Sequence, residues 1–231
     1  MYEKDGGVMF NKYGKIENLI NESDYYEFFD KDDCNTWGKA LDGKWAEEYK
    51  ILQKRAERTK RYLLDCGWSV DFYAGNKFRE MNEILRSEQE SEWGYGYNVS
   101  LIRELYFQII RAPQIGEKIV AYRYVCKEMI EEMISNNKKG KVYQEKGFLS
   151  TSLIKKACIA NKMEYQSDFL LKIYIPENVY GVYVNLIAQR SEMELLLAPE
   201  YFLKMIKKPY WDEEAKAEVY EVELVSFDLE E

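Results

Sequence analysis

The hydrophobic pattern of the chain changes from helical to strand-like near its middle. In the first half, Trp45, Tyr49, Leu52, Ala56 and Leu63 recur at near-helical spacing in a charge-rich stretch, which predicts an amphipathic helix. Three further helices are predicted in this half, over residues 77–87, 98–111 and 124–135. Pro113 follows the third of these patterns and marks its end.

In the second half, β-branched and aromatic residues form short runs that are typical of strands. Strands are predicted over residues 169–175, 180–188, 194–197 and 220–224. In the last of these, Glu221 and Glu223 alternate with apolar residues, which predicts a half-exposed strand. Helices followed by strands, rather than alternating with them, predict an α+β domain.

Size and charge limit the classes of protein that the chain can belong to. With 231 residues, 46% of them hydrophobic, it can bury the core of one domain, and we expect a polar lead-in over 1–35 and a single domain over 36–231. A net charge of −8 argues against nucleic acid as a partner, because phosphate binding needs clustered Lys and Arg. The chain has no apolar run of about 20 residues. Its N-terminus lacks the apolar core of a secretory signal, so we expect a soluble protein without a classical signal peptide or membrane span.

The chain contains no histidine, which removes the commonest general base and metal ligand. A Ser-His-Asp triad, a His-Glu zinc site and a Cys-His pair are therefore excluded, and no metal is expected. The four cysteines are far apart, without C-x-x-C spacing: Cys34, Cys66, Cys126 and Cys158. They are free thiols of a reduced compartment or, as the alternative, members of structural disulfides.

A lone arginine interrupts the apolar run from Val120 to Val125. A cation in such a run is costly unless it has a partner. Arg123 is either an edge-strand residue facing water, the partner of an acid, or an anion clamp, since a guanidinium binds phosphate or carboxylate through two nitrogens.

Three hydroxyl residues, Ser150, Thr151 and Ser152, follow a short apolar segment. In a strand, Ser150 and Ser152 share one face and Thr151 takes the other. The alternative is a strand end or a helix N-cap for residues 155–161.

Two carboxylates, Glu192 and Glu194, stand two residues apart at the start of an apolar run. In an extended segment both side chains point to the same face. Like charges at such range repel and raise one another's pKa, so folding alone gives little reason for the pair. A solvated strand edge is the alternative.

The order of Arg, Ser-Thr-Ser and Glu-x-Glu resembles that of the bacterial ADP-ribosyltransferase exoenzymes. The similarity is to the arginine-specific branch with a Glu-x-Glu pair, which includes the enzymatic components of actin-modifying binary toxins. It extends over roughly residues 35 to 225 and includes further segments: Trp37-Gly38, the run from Tyr73 to Arg86, Ala112-Pro113, Ile173 to Pro176 and Gly181 to Tyr183. The resemblance implies a fold of two packed, mainly antiparallel β-sheets with N-terminal helices.

The resemblance also implies a role for each residue of the three motifs. Glu194 is then the catalytic carboxylate, which binds the ribose 2′-hydroxyl of NAD and stabilises an oxocarbenium-like transition state. Glu192 helps to deprotonate the acceptor guanidinium, and Ser150 holds Glu194 in place. The NAD-binding residues are then Arg123 at the diphosphate and Thr151 and Ser152 at the nicotinamide pocket. Three more lie on the run from Tyr73 to Arg86, which we call the aromatic helix: Tyr73, Phe78 and Asn82.

The implied function is mono-ADP-ribosyl transfer from NAD to an arginine of a target protein, by a toxin or effector. NAD is then a substrate, and actin is among the candidate targets. Gln189 stands where family members often have an aromatic residue that meets the target. The alternatives are an NAD glycohydrolase, in which water is the acceptor, and an inactive copy that serves as an adapter. For a toxin, we expect secretion or delivery into a host cell by a route that the sequence does not show.

Overall fold

The helices of the chain lie mainly ahead of its strands. The computed structural model describes residues 12–59, 68–87, 96–162, 167–188 and 190–226. The helices of this part are α1 (Lys31–Thr59), α2 (Ser69–Phe72), α3 (Phe78–Arg86), α4 (Tyr97–Arg111), α5 (Lys127–Lys138) and α6 (Lys155–Ala160). The predicted helices over 77–87 and 98–111 are confirmed as α3 and α4.

Helix α1 begins at Lys31, well ahead of the periodic residues that predicted it. The side chain of Asp30 accepts a hydrogen bond from the backbone N–H of Asp33 at 2.8 Å and so caps the helix. Acidic residues in the first turn add a favourable interaction with the helix dipole. The helix thus starts inside the predicted lead-in, where Phe28 is also buried in the core. The far end of the predicted pattern, at Leu63, lies outside the described residues.

A π-helical turn, Tyr73–Lys77, joins α2 to α3 and makes one continuous helical segment of residues 69–86. Such turns widen a helix locally and are frequent at functional sites. The fifth helix differs from its prediction over 124–135, because the backbone from Ile119 to Val125 pairs along its length with a neighbouring strand. The helix therefore begins only at Lys127.

The strands join into one mixed sheet. Their bounds are β1 (Ile119–Val125), β2 (Tyr143–Glu145), β3 (Leu149–Ser152), β4 (Phe169–Ile175), β5 (Gly181–Tyr183), β6 (Glu194–Leu197), β7 (Tyr201–Met205), β8 (Tyr210–Asp212) and β9 (Ala217–Val225). Their order is β2-β7-β9-β4-β1-β3-β6-β5, and β8 pairs with β9. Strands β4 and β9 are parallel, and the other pairs are antiparallel. The predicted α+β class and mainly antiparallel pairing are confirmed.

The two predicted sheets are two parts of this one hydrogen-bonded sheet. A single register pair, Tyr122 with Ser152, joins β1 to β3. By contrast, the β1–β4 ladder has seven register pairs. The narrow junction allows the short part, β3-β6-β5, to turn away from the long part while the strands stay connected.

Two strand predictions required correction. The segment 180–188 is a strand only at Gly181–Tyr183, because Val184–Leu186 forms a 3-10 turn. In β9, Glu221 is buried rather than exposed, and its carboxylate accepts a hydrogen bond from the Tyr174 hydroxyl at 2.7 Å. Strands β2, β7 and β8 were not predicted.

The hydroxyl residues Ser150 to Ser152 lie within β3, and the N-cap of α6 is Ile154. The helix-cap alternative for these residues is therefore wrong. Cys34, Cys126 and Cys158 are free thiols, and Cys66 lies outside the described residues.

Helix α1 is fixed to β5 by a close approach at Gly38. A Cβ atom at this position would lie 2.0 Å from Cδ1 of the buried Tyr183 ring. One turn later, Asp42 Oδ2 accepts a hydrogen bond from the backbone N–H of Tyr183 at 2.7 Å. Burial raises the pKa of Asp42 to about 7. These contacts fix the segment that leads into Val184–Leu186 and the loop before β6.

Gly38→Ala is expected to lower the free energy of unfolding by about 2 kcal/mol or more, since overpacking a core typically costs about 1–3 kcal/mol and this contact is unusually short. The gain in helix propensity, about 1 kcal/mol, only partly offsets that cost. Urea denaturation of both variants measures the effect. Gly43→Ala on the same helix is the matched control, because nothing lies within 4 Å of its added Cβ, and it should be neutral or stabilising. Equal stabilities for the two variants would contradict the assigned contact.

Candidate active site

A cleft of about 360 Å³ opens between the helical segment 69–86 and the strands β1, β3 and β6. The described residues that line it are Tyr73, Ala74, Gly75, Phe78, Arg79, Arg123, Ser150, Arg190 and Glu194. Three of them are arginines and one is a carboxylate. The cleft is therefore suited to an anionic ligand that approaches a single buried acid.

The acid is Glu194, the first residue of β6. Antiparallel pairing sets Ser152 opposite Glu194, which places Ser150 diagonally across from it. The Ser150 hydroxyl donates a hydrogen bond to Glu194 Oε1 at 2.6 Å. Burial raises the pKa of Glu194, whereas the Ser150 hydrogen bond and the charge of Arg190 lower it. The predicted pairing of Ser150 with Glu194 is thus present in the structure.

The second carboxylate oxygen, Glu194 Oε2, differs from Oε1 in its hydrogen bonding. It is buried, and it has no hydrogen-bond partner within the part of the chain that the structure describes. The Nε atom of Arg190 lies 3.3 Å away and forms an ion pair with it. An acceptor of this kind at the cleft is available to a hydroxyl group of a ligand.

Arg123 lies at the centre of β1, between β3 and β4, and not at a sheet edge. Its Nη1 donates a hydrogen bond to the backbone carbonyl of Ser150 at 2.7 Å. The side chain is half-buried and lines the cleft beside Glu194. Arg123 was expected to face water, to pair with an acid or to act as an anion clamp, and this position favours the anion clamp.

Thr151 and Ser152 do not line the cleft. The Thr151 hydroxyl donates to the carbonyl of Leu195 at 2.9 Å, and the Ser152 hydroxyl hydrogen-bonds to the carbonyl of Glu192. Both side chains are buried. They join β3 to the loop and strand that carry the two glutamates.

Glu192 and Glu194 do not project side by side from an extended strand, as the sequence predicted. Met193 between them has φ +54°, a left-handed conformation that bulky residues rarely adopt, and β6 begins only at Glu194. Because the chain turns at Met193, Glu192 is buried and does not line the cleft. Its negative charge still raises the pKa of Glu194.

The aromatic helix brings two of its three predicted residues to the cleft. Tyr73, the first residue of the π-helical turn, and Phe78, directly after it, both line the cleft. Asn82 is buried instead, and its amide donates to the Tyr73 hydroxyl at 3.0 Å while accepting from the backbone N–H of Phe148 at 2.9 Å. Asn82 therefore joins the aromatic helix to the segment that enters β3.

A match to the family model of the ADP-ribosyltransferase exoenzymes covers residues 35–222. The chain belongs to this family. Its members are ADP-ribosyltransferase toxins, which confirms the NAD-dependent ADP-ribosyltransferase class but not the acceptor. No curated protein matches the chain significantly by sequence.

Solved structures share the fold of this exoenzyme at low sequence identity. Plx2a, an ADP-ribosyltransferase toxin from Paenibacillus larvae, is 19% identical with a TM-score of 0.65, over 86% of this chain and 98% of that one. C3stau2 from S. aureus, solved with NAD, is 16% identical with a TM-score of 0.62, over 87% and 99%. BECa, the ADP-ribosylating toxin of a binary enterotoxin of C. perfringens, was solved with NADH and is 17% identical with a TM-score of 0.61. The match covers 91% of this chain and 50% of BECa. The chain therefore spans about half the length of BECa.

The exoenzyme has two site residues that its sequence did not single out. Asn185 accepts a hydrogen bond from the backbone N–H of Glu194 at 2.8 Å and donates one to the carbonyl of Arg190 at 2.5 Å. It thus holds both ends of the loop segment that carries Glu192. Arg190 pairs with Glu194, as described above. No spacing rule marks either residue, because both act through a loop whose path is set by tertiary contacts.

An ion pair joins the exposed Arg86 of α3 to the buried Glu145. Arg86 Nε and Nη2 donate to the two carboxylate oxygens of Glu145 at 2.9 and 3.0 Å. Glu145 Oε1 also accepts from the backbone N–H of Gly147 at 2.8 Å. Two-point contacts of this kind fix geometry as well as charge, so they tie α3 to the end of β2 and to the segment that leads into β3.

The described residues of the exoenzyme contain neither a metal-binding cluster nor a helix suited to span a membrane. In that part of the chain, no group of three or more His, Cys, Asp or Glu side chains is placed to hold a metal ion. Within the same residues, no helix has the length and apolar character that a membrane span needs. Gln189, which the sequence placed at the target-facing loop, lies outside the described residues.

Proposed function

We propose that this exoenzyme cleaves the bond between nicotinamide and ribose in NAD and transfers the ADP-ribose to an arginine of a target protein. The observation that carries the proposal is the hydrogen bond of 2.6 Å between Ser150 and Glu194 at the cleft that Arg123 lines. The Glu-x-Glu pair supports arginine as the acceptor, and actin remains a candidate target.

The residues of the cleft fit NAD as substrate. Arg123 and Arg79 offer cations to the diphosphate, and Tyr73 and Phe78 offer aromatic surface to the rings of the dinucleotide. The lone pairs of the buried Glu194 Oε2 remain for the ribose 2′-hydroxyl, since the described residues give that oxygen no hydrogen bond. The solved structures of C3stau2 with NAD and of BECa with NADH support a dinucleotide in this fold.

Glu194 stabilises the positive charge that develops on the ribose as nicotinamide leaves. A fixed carboxylate in a dry site does this well, because its charge is poorly screened and needs no reorganisation. Ser150 holds one oxygen in place, so the other is directed to the ribose. Arg123 keeps the Ser150 backbone in position while it binds the diphosphate.

Glu192 takes a proton from the acceptor guanidinium, which is otherwise charged at neutral pH because its pKa exceeds about 12. In the structure this carboxylate is buried outside the cleft, so the role requires its side chain to turn toward the acceptor. The Ser152 hydroxyl holds the backbone of Glu192 during this turn. The left-handed Met193 is a strained position of the kind that marks switching segments.

The same position of Glu192 favours a second candidate function. With Glu194 as the only carboxylate that the described residues bring to the cleft, water can replace the protein acceptor, which gives an NAD glycohydrolase.

Labelled NAD, the purified chain and agmatine, a small molecule with a guanidinium group, distinguish the two functions. Arginine transfer predicts an ADP-ribosyl-agmatine adduct by mass spectrometry. Nicotinamide release without any adduct supports the glycohydrolase instead. Parallel reactions with purified actin and with cell lysates, followed by mapping of the labelled side chain, identify the target.

Asn185→Ala is expected to lower kcat for NAD cleavage about tenfold or more, with a smaller change in KM. The substitution removes two hydrogen bonds, each worth about 1 kcal/mol, that hold Glu194 and Arg190 in place. Steady-state kinetics and thermal unfolding are measured together. Asn18→Ala, the same change at an exposed site, serves as the control. A loss of folding without a change in kcat per folded molecule would show that Asn185 is only structural.

A further inference from the structure

An arginine of the chain itself lies at the cleft, beside the carboxylate oxygen that the proposed function assigns to the ribose. Arg190 lines the cleft, and its Nε lies 3.3 Å from Glu194 Oε2. Glu194 is buried, whereas the Arg190 side chain is 36% exposed. The guanidinium therefore reaches from the cleft mouth to the carboxylate on which the reaction depends.

We propose that Arg190 is a site of self-modification: the enzyme transfers ADP-ribose from NAD to the guanidinium of its own Arg190. The inference rests on the proposed function, since it requires transfer to arginine. It adds an acceptor within the chain to the acceptor on a target protein.

The geometry keeps Arg190 near the reacting carbon when NAD binds. The ribose 2′-hydroxyl takes Glu194 Oε2, so the guanidinium gives up this oxygen. The backbone of Arg190 stays in place, because its carbonyl accepts a hydrogen bond from Asn185 at 2.5 Å. The ribose carbon that carries the 2′-hydroxyl is bonded to C1′, the reacting carbon. The Arg190 guanidinium, displaced from Oε2 by that hydroxyl, therefore remains close to C1′. A tethered acceptor of this kind has a high effective concentration.

The transfer is balanced without a further reactant. The bond between C1′ and the nicotinamide nitrogen breaks, and nicotinamide leaves with the electron pair. A terminal nitrogen of Arg190 forms a bond to C1′, and the guanidinium releases one proton. By the proposed division of roles, Glu192 takes this proton. The attached ADP-ribose then fills the cleft, so NAD cleavage should slow as modification proceeds.

Incubation of the purified full chain with NAD tests the proposal by intact-mass and peptide mass spectrometry. We expect one ADP-ribose per chain, on Arg190, together with a decline in NAD cleavage. Arg190→Lys keeps the positive charge but removes the guanidinium, and it should lower self-modification at least tenfold and abolish the decline. Arg103→Lys, at an exposed site on α4, is the matched control and should behave as the unchanged protein. An adduct elsewhere, or one that persists in Arg190→Lys, overturns the proposal.

The reaction should take place within one molecule. The fraction of chain modified per unit time is then independent of protein concentration over a tenfold dilution. A Glu194→Gln chain, mixed with the active enzyme, should stay unmodified. Its modification would show transfer between molecules and overturn the proposal. An equal yield of adduct when free ADP-ribose replaces NAD would overturn it as well, because that reaction needs no enzyme.

Agmatine in a parallel reaction separates this inference from the proposed function. If agmatine is modified and Arg190 is not, the inference fails while arginine transfer stands. If NAD is cleaved and neither agmatine nor Arg190 is modified, both fail together.

Discussion

Glu194→Gln is expected to lower both NAD cleavage and arginine transfer by at least about 10²–10³-fold, the usual loss when a preorganised electrostatic group is removed from a transition state. Glutamine has nearly the same shape, and its amide oxygen can still accept the Ser150 hydrogen bond of 2.6 Å. The substitution therefore removes the negative charge while it keeps the local geometry. Nicotinamide release and adduct formation are measured in the same reaction.

Glu117→Gln is the matched control for this variant, because it makes the same change at an exposed position in the loop before β1. It should retain full activity. Residual NAD cleavage by Glu194→Gln within tenfold of the unchanged protein would contradict the role assigned to this carboxylate. Thermal unfolding of both variants verifies that the loss does not come from misfolding.

Glu192→Gln is expected to lower transfer to agmatine or protein arginine by at least about 10²-fold, the lower end of the usual effect of a general base. Hydrolysis of NAD should stay within a few-fold of the unchanged protein. Water as the acceptor depends less on proton removal by a base than a guanidinium does. Glu194, which stabilises the transition state, is unchanged. The charge of Glu192 also raises the pKa of Glu194, so its removal favours the ionised catalytic group.

The ratio of adduct formed to nicotinamide released measures this separation directly. Glu213→Gln, at an exposed position after β8, is the control and should leave the ratio unchanged. Equal loss of transfer and hydrolysis in Glu192→Gln would refute the division of roles between the two glutamates. Glu192 would then act by supporting Glu194 and not by deprotonating the acceptor.

The fold brings residues from three separate sequence motifs to one cleft. Ser150 and Glu194 lie in short strands whose residues are β-branched, apolar or hydroxyl-bearing, and antiparallel pairing brings them together once each strand is correctly placed. Arg123 was recognised because a charge in an apolar run is costly. Tyr73 and Phe78 both line the cleft because they lie on one helical segment.

Two predictions taken from local sequence patterns were wrong, one on the shared face of Glu192 and Glu194 and one on the exposure of Glu221. Glu192 and Glu194 share a face only if the residue between them is extended, and Met193 is left-handed. Glu221 was expected at the surface because it alternates with apolar residues, but β9 is covered on both faces at that point. In each case a tertiary contact overrides the local pattern.

The sequence by itself determined the family, the α+β class and the carboxylate, hydroxyl and guanidinium groups of the site, because these depend on residue types in a fixed order. The tertiary structure decided which of these groups reach the cleft. Gly38 and Asp42 fix β5, Asn185 fixes the loop that follows it, and that loop buries Glu192 and brings Arg190 to Glu194. The physical reason is that a loop follows no repeating pattern, so its path is set by packing and hydrogen bonds between residues far apart in the chain.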